Sequence, residues 1–220
     1  MRLNQYLAQA TGMSRRAADK AITDGRVTVN GTVAILGQRP KDSDTILLDG
    51  GPITPAVKTR TIILNKPVGY VCSRDGQGNR TVYDLLPEPL HQLKPVGRLD
   101  KNSSGLLLLT SDGQLAYELT HPKFQKTKAY KIALDKALEP EHRHAITGRG
   151  IALDDGVSRL ELQPLHITDN TNWKVIMSEG RNRQIRRTFE ALGYNVVKLH
   201  RTQFGPYALK ALKPGQHMAV

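Results

Sequence analysis

The segment GRLDKNSSGLLLLTSDG, residues 97–113, constrains this chain more than any other. Leu106 to Leu109 form a short unbroken apolar run. Such a run suits a strand buried on both faces, as at the middle of a sheet covered on each side. Asp100 stands just before it, among Gly, Asn and Ser residues that read as a loop. A carboxylate held beside a buried strand is costly unless something partners it. In an ordinary chain such an Asp is a turn or capping residue. The alternative is a reactive carboxylate presented from a rigid sheet.

Charge narrows the choice of partner. The 220 residues carry a net charge of +12, and 39% are hydrophobic, which is ordinary for a folded chain. A balance this basic points to a polyanion, nucleic acid above all, against the blander reading of a basic surface that only aids solubility. Residues 181–220 hold eight Lys/Arg against one Glu, so the basic charge gathers around RNRQIRR. A second group lies near the N-terminus, with Arg15, Arg16 and Lys20 close together and Arg26 following. Cys72 is the only cysteine, which leaves no intrachain disulfide and no multi-Cys zinc site. The start, MRLNQYLAQATGMSRR, lacks the apolar core of a signal peptide, and Leu106–Leu109 is far too short to span a bilayer. The expectation is a soluble, cytoplasmic monomer without membrane contact. No HExxH, P-loop or dinucleotide fingerprint is present, so no metal and no small-molecule cofactor are expected.

The first fifty residues predict a small helical module with strands. Leu3, Tyr6, Leu7 and Ala10 recur at helical spacing. Ser14 is a candidate N-cap for a second helix that stops near Gly25 and buries Ala17, Ala18, Ala21 and Ile22. Arg15, Arg16 and Lys20 fall outside that stripe. Asn30-Gly31 between alternating apolar residues predicts a tight hairpin, and TILLD a further strand. GGPITPAVKT reads as a linker over about residues 50–60. TIILNKP then opens a second, mostly strand-like part, giving domains at 1–58 and 59–220. A helix that stops at Gly193 carries Ile185, Phe189 and Leu192 as its apolar stripe, with Arg186 beside it.

Two resemblances sharpen this. RLNQYL, SRRAA and GRVTVNG, in that order, resemble the S-four-type RNA-binding domain. There Arg15, Arg16, Lys20 and Arg26 would meet RNA phosphates; the structural alternative is a helical cap on the larger domain. GRLDKNSSGLLLLTSDG resembles the catalytic motif of pseudouridine synthases of the RsuA and RluA families, with Ser103 where Thr is more usual. Three further segments follow in the family's order: Lys66-Pro67-Val68-Gly69, KTKAYKI around Tyr130, and SEGRNRQIRR, residues 178–187, with Leu199 in VVKLHR beyond them. The chain is thereby identified as similar to the RsuA-type synthases that modify ribosomal RNA.

That resemblance implies an α+β fold: the small helical RNA-binding module, then a mixed, largely antiparallel sheet with flanking helices. It implies Asp100 as the catalytic carboxylate and Tyr130 as the ring against the flipped uracil. Arg186 would pair with Asp100 and keep it ionised. Leu199 would pack near the base, and Arg98 would fill the gap the base leaves. Arg183 and Arg187 would add RNA contacts. Each has an ordinary reading too: Tyr130 as a core aromatic, Arg186 as a solvated arginine, Arg98 as one more phosphate contact. Lys66-Pro67-Val68-Gly69 would mainly shape the sheet. The implied reaction turns a uridine of ribosomal RNA, in the large subunit (23S) by preference, into pseudouridine; a small-subunit (16S) site is the nearest alternative. A non-catalytic ribosome-binding assembly factor would share the first fifty residues and the charge without needing Asp100, Tyr130 and Arg186 together. A base-excising glycosylase would not need the GRLD–LLLLT frame.

Overall fold

The computed structural model describes residues 1–53 and 59–220. It divides into two compact units, residues 1–60 with 111–113, and residues 61–110 with 114–220. Residues 54–58 of the expected linker, and with them the boundary expected at residue 58, lie outside the described residues.

The first unit begins with helices α1 (Leu3–Thr11) and α2 (Arg15–Thr23). Ser14 caps α2 as expected, its hydroxyl accepting from the Ala17 amide at 3.1 Å. Ala18, Ala21 and Ile22 are buried against Leu3 and Leu7, but Ala17 is exposed. It sits in the first turn on the same flank as the arginines, outside the stripe predicted for it. Strands β1 (Val27–Val29), β2 (Thr32–Val33), β3 (Ile46–Leu48) and β4 (Gly51–Pro52) form an antiparallel sheet in the order β2-β1-β3-β4. Asn30 and Gly31 both have positive φ, 52° and 83°, as the hairpin between β1 and β2 demands. Gly51 and Pro52, expected in the linker, instead pair with Leu48 and Leu47.

The second unit contains β5 (Thr61–Lys66), β6 (Lys94–Pro95), β7 (Ser104–Thr110), α3 (Gly113–Thr120), β8 (Lys128–Leu134) and α4 (Pro140–Thr147). There follow β9 (Ile151–Leu153), β10 (Gly156–Ser158), β11 (Glu161–His166), β12 (Asp169–Met177), α5 (Gln184–Glu190), β13 (Val196–Phe204), β14 (Tyr207–Ala208) and β15 (His217–Ala219). Among the described residues nine strands make one sheet, in the order β11-β12-β8-β13-β7-β5-β15, with β14 beside β13 and β6 beside β7. Every pairing is antiparallel except β7 with β13.

The apolar run explains the layering. Strand side chains alternate faces, so Leu107 and Leu109 enter one core and Leu106 and Leu108 another. Ile62 and Leu64 of β5 join the first core and Ile63 the second. The first core also takes Ile146 of α4 and Ile185 and Phe189 of α5, while the second takes Leu119 of α3. Helices thus cover both faces of the central strands. No helix of the described residues is long and apolar enough to cross a membrane.

The parallel contact is short, Ser104 to His200 and Gly105 to Arg201. Gly105 has φ +103°, and a Cβ there would lie 2.2 Å from the Arg201 carbonyl oxygen. Only glycine fits. Gly105→Ala should therefore lower unfolding stability by about 2–4 kcal/mol, from overpacking plus backbone strain. A fall in the urea midpoint, with the m-value unchanged, would be its signature.

Candidate active site

Asp100 lies in the loop, residues 98–103, that leads into β7. What holds that loop is mainly a buried lysine. Alternation along β5 turns Lys66 to the same face as Ile62 and Leu64, and it is completely buried. Its ammonium donates to the carbonyls of Pro67 at 3.1 Å, Asp100 at 3.1 Å and Ser103 at 2.8 Å. Burial pushes the Lys66 pKa down from the usual lysine value, opposed by Cys72 and Asp100. The Gly69 amide donates to Lys101 O at 2.8 Å, and the Ser103 amide to Asp100 O at 3.0 Å. The Lys66–Gly69 segment, expected mainly to shape the sheet, thus also grips the backbone of the Asp100 loop.

The sheet brings the remaining candidates to one place. A cleft of about 490 Å³ is lined by Arg98, Asp100, Tyr130, Arg183, Arg186 and Leu199, among others. Tyr130 comes from β8 and Leu199 from β13; both are over nine-tenths buried, as core side chains would be, yet both border the cleft. The Asp100 side chain is 38% exposed, so the cleft is open to water at that carboxylate.

One expected pairing is different. The arginine in ion-pair contact with Asp100 is Arg183, Nη1 to Oδ2 3.6 Å, rather than Arg186. Arg183 precedes α5 with φ +45°, a left-handed conformation that is costly for a residue with a side chain. Arg186, the third residue of α5, spends its two terminal nitrogens on backbone: Nη2 on Asn102 O at 2.9 Å and Nη1 on Val196 O. It therefore ties the Asp100 loop to β13. Burial pushes its guanidinium pKa down, Arg183 adds to that, and nearby Asp100 opposes it.

The other predicted RNA contacts divide. Arg98 is exposed at the cleft. Arg187 is not among the lining residues; it is held by Asp155 at 2.6 Å and by Asn182 O at 2.9 Å. Its guanidinium keeps the Asp155 carboxyl below the usual range. In the first unit Arg26 is likewise held by Asp49, and Lys20 by Asp24 at 3.0 Å. Arg15 and Arg16 are exposed and form no ion pair among the described residues. Sequence reasoning gave no site role to Lys66, Lys128 or Arg201. Only burial marks Lys66 and Arg201 out.

Comparison with known proteins shows the family. The RNA pseudouridylate synthase family model matches residues 60–191, and the S4 domain model matches residues 1–46. The first of these spans more than half of the chain, which belongs to the RNA pseudouridylate synthase family. It is similar to the ribosomal large subunit pseudouridine synthase B of Xanthomonas campestris pv. campestris, 38% identical over 236 residues, covering 100% of this chain and 47% of that protein. It is also similar to the ribosomal small subunit pseudouridine synthase A of Escherichia coli K12, 35% identical over 222 residues, covering 99% and 95%. A crystal structure of a pseudouridylate synthase matches with TM-score 0.70 at 33% identity, covering 100% of this chain and 96% of that one. The chain spans about half the length of its Xanthomonas and Xylella relatives.

The two arginines should separate on substitution. Arg183→Gly removes the ion pair and relieves the left-handed backbone, so stability should stay within about 1 kcal/mol of wild type. Arg186→Ala strips two carbonyls of a charged donor and should cost about 1–3 kcal/mol. Urea unfolding of both variants measures the difference.

Proposed function

We propose that this protein converts a uridine of ribosomal RNA to pseudouridine, residues 59–220 carrying the chemistry and residues 1–58 holding RNA. The observation that carries this reading is the shared cleft, where Asp100 meets an aromatic ring, an apolar side chain and several arginines. A uracil stacked in a helix cannot reach such a carboxylate, so it must flip out. Tyr130 then lies against the ring and Leu199 packs beside it. Arg98, at the exposed margin, suits the vacated stack.

The chemistry needs no group from outside. The bond from ribose C1′ to uracil N1 breaks and its electron pair stays on the uracil. The Asp100 carboxylate answers the electron deficit at the sugar, as nucleophile or as base. The uracil turns over, and C5 supplies the pair for a new bond to C1′. C5 then loses its proton and N1 gains one, so substrate and product are isomers. Arg183 and Arg186 place positive charge beside the Asp100 carboxylate.

Within ribosomal RNA we favour the large subunit. Relatives named for that subunit support this, although others are named for the small subunit. A non-catalytic assembly factor is the second reading; it leaves the convergence of Asp100, Tyr130 and Arg186 on one cleft without a purpose.

Pseudouridine mapping of 23S and 16S RNA from cells with and without the gene tests the activity and the subunit together. One 23S position should lose its mark. Asp100→Asn should still bind RNA and fall to background turnover; near-normal conversion would refute the role of Asp100. In the first unit, Arg15→Ala with Arg16→Ala should weaken binding and flatten the slope of log affinity against log salt by about one to two units. Single-turnover conversion at saturating RNA should barely change, since phosphate contacts position rather than react.

A further inference from the structure

Four side chains lining the cleft keep a buried polar atom without a hydrogen-bond partner among the described residues, Ser103, Arg181, Arg186 and Arg201. Arg181 and Arg186 leave only Nε idle, their terminal nitrogens being engaged; Ser103 and Arg201 keep a hydroxyl and a terminal nitrogen unused. Arg201 is 2% exposed and Ser103 is 1% exposed, and both line the cleft. Arg201 spends Nε on Leu106 O at 2.8 Å, but its Nη2 has no hydrogen-bond partner among the described residues. Neither does the Ser103 hydroxyl. Arg201 also forms no ion pair with a carboxylate among the described residues. A buried guanidinium stays charged and is rarely left so uncompensated.

Its position is nevertheless rigid. The Arg201 backbone packs against Gly105, and across the sheet it pairs with Tyr130. Its guanidinium lies over the Phe204 ring, 4.9 Å from the centroid, and Lys128 lies over the same ring at 5.2 Å. Burial pushes the Lys128 pKa down, and Arg201 pushes it further. Two cations thus share one ring, with a cost that a ligand bearing negative charge would relieve.

We propose that Arg201 and Ser103 form an acceptor-binding floor of the cleft, donating to a carbonyl oxygen of the flipped uracil and stabilising the charge it takes on when it leaves the ribose. This rests on the activity proposed above. When the N1–C1′ pair departs with the uracil, its charge spreads from N1 onto the two carbonyl oxygens. A buried, preorganised donor gains strength at that moment, because its partner becomes more negative while its own position is already set. Rejoining through C5 returns the pair to the ribose and ends the demand. A backbone phosphate is the less suitable occupant, because both donors are buried while phosphates remain at the surface of a flipped nucleotide.

Ser103→Ala is the cleanest variant, because removing a buried, unpaired hydroxyl should leave stability equal or higher. Its single-turnover rate on a ribosomal RNA fragment should fall about tenfold to a hundredfold, with RNA affinity and its salt dependence unchanged. Arg201→Lys should keep more activity than Arg201→Gln. A Ser103→Ala variant that converts at the wild-type rate overturns the proposal. So does a salt slope flattened by about one unit in Arg201→Gln, which would make Arg201 a phosphate contact. A wild-type crystal soaked with uracil gives a reading independent of turnover: a uracil carbonyl oxygen should lie within roughly 3.2 Å of Arg201 Nη2. Uracil bound elsewhere, or absent, counts against the floor. Wild-type protein that converts no ribosomal RNA would refute the proposed activity, and the soak would still decide the floor.

Discussion

The cleft depends on one short parallel contact between β7 and β13. Across the sheet, β5, β6, β7 and β15 lie to one side of that contact and β8, β11, β12 and β13 to the other. Asp100 and Ser103 approach it from the β7 side; Tyr130, Leu199 and Arg201 come from the β13 side. Only two residue pairs form it, and one needs Gly105 because the Arg201 carbonyl occupies the space of a Cβ. A side chain there would separate the carboxylate from the groups it is proposed to work with.

Around that junction the polar groups divide their labour. Lys66 serves the backbone: a wholly buried ammonium on three carbonyls, it fixes where the Asp100 loop runs. Arg186 does the same from the opposite side, through Asn102 and Val196. The Asp100 carboxylate itself is left partly open, with Arg183 at its edge. A loop held through its carbonyls keeps the acidic group available, whereas a carboxylate locked into several short ion pairs would be a structural salt bridge. Burying a charge without a partner is costly, and Arg201 and Ser103 are among the six buried side chains of the described residues that keep an atom without a hydrogen-bond partner. Their persistence is what makes a ligand-facing role the economical account.

Much of this was readable from the residues. The run LLLLT specified a central strand, because four consecutive leucines can be buried only where both faces are covered. Asn30-Gly31 specified a hairpin, and Ser14 a helix start, because those backbone geometries admit few residues. The ordered motifs placed Asp100, Tyr130 and Leu199 in one family pattern, and all three line one cleft. What the residues alone determined, then, was which elements form and which side chains are candidates. The fold decided which charges are spent. RNRQIRR offers four arginines with the same chemistry, and the left-handed turn at Arg183 together with the start of α5 directs Arg183 to Asp100, Arg186 to backbone carbonyls and Arg187 to Asp155. Lys66 and Arg201 are buried in the molecule because strand alternation and sheet order, set by contacts far apart in sequence, decide what each side chain faces.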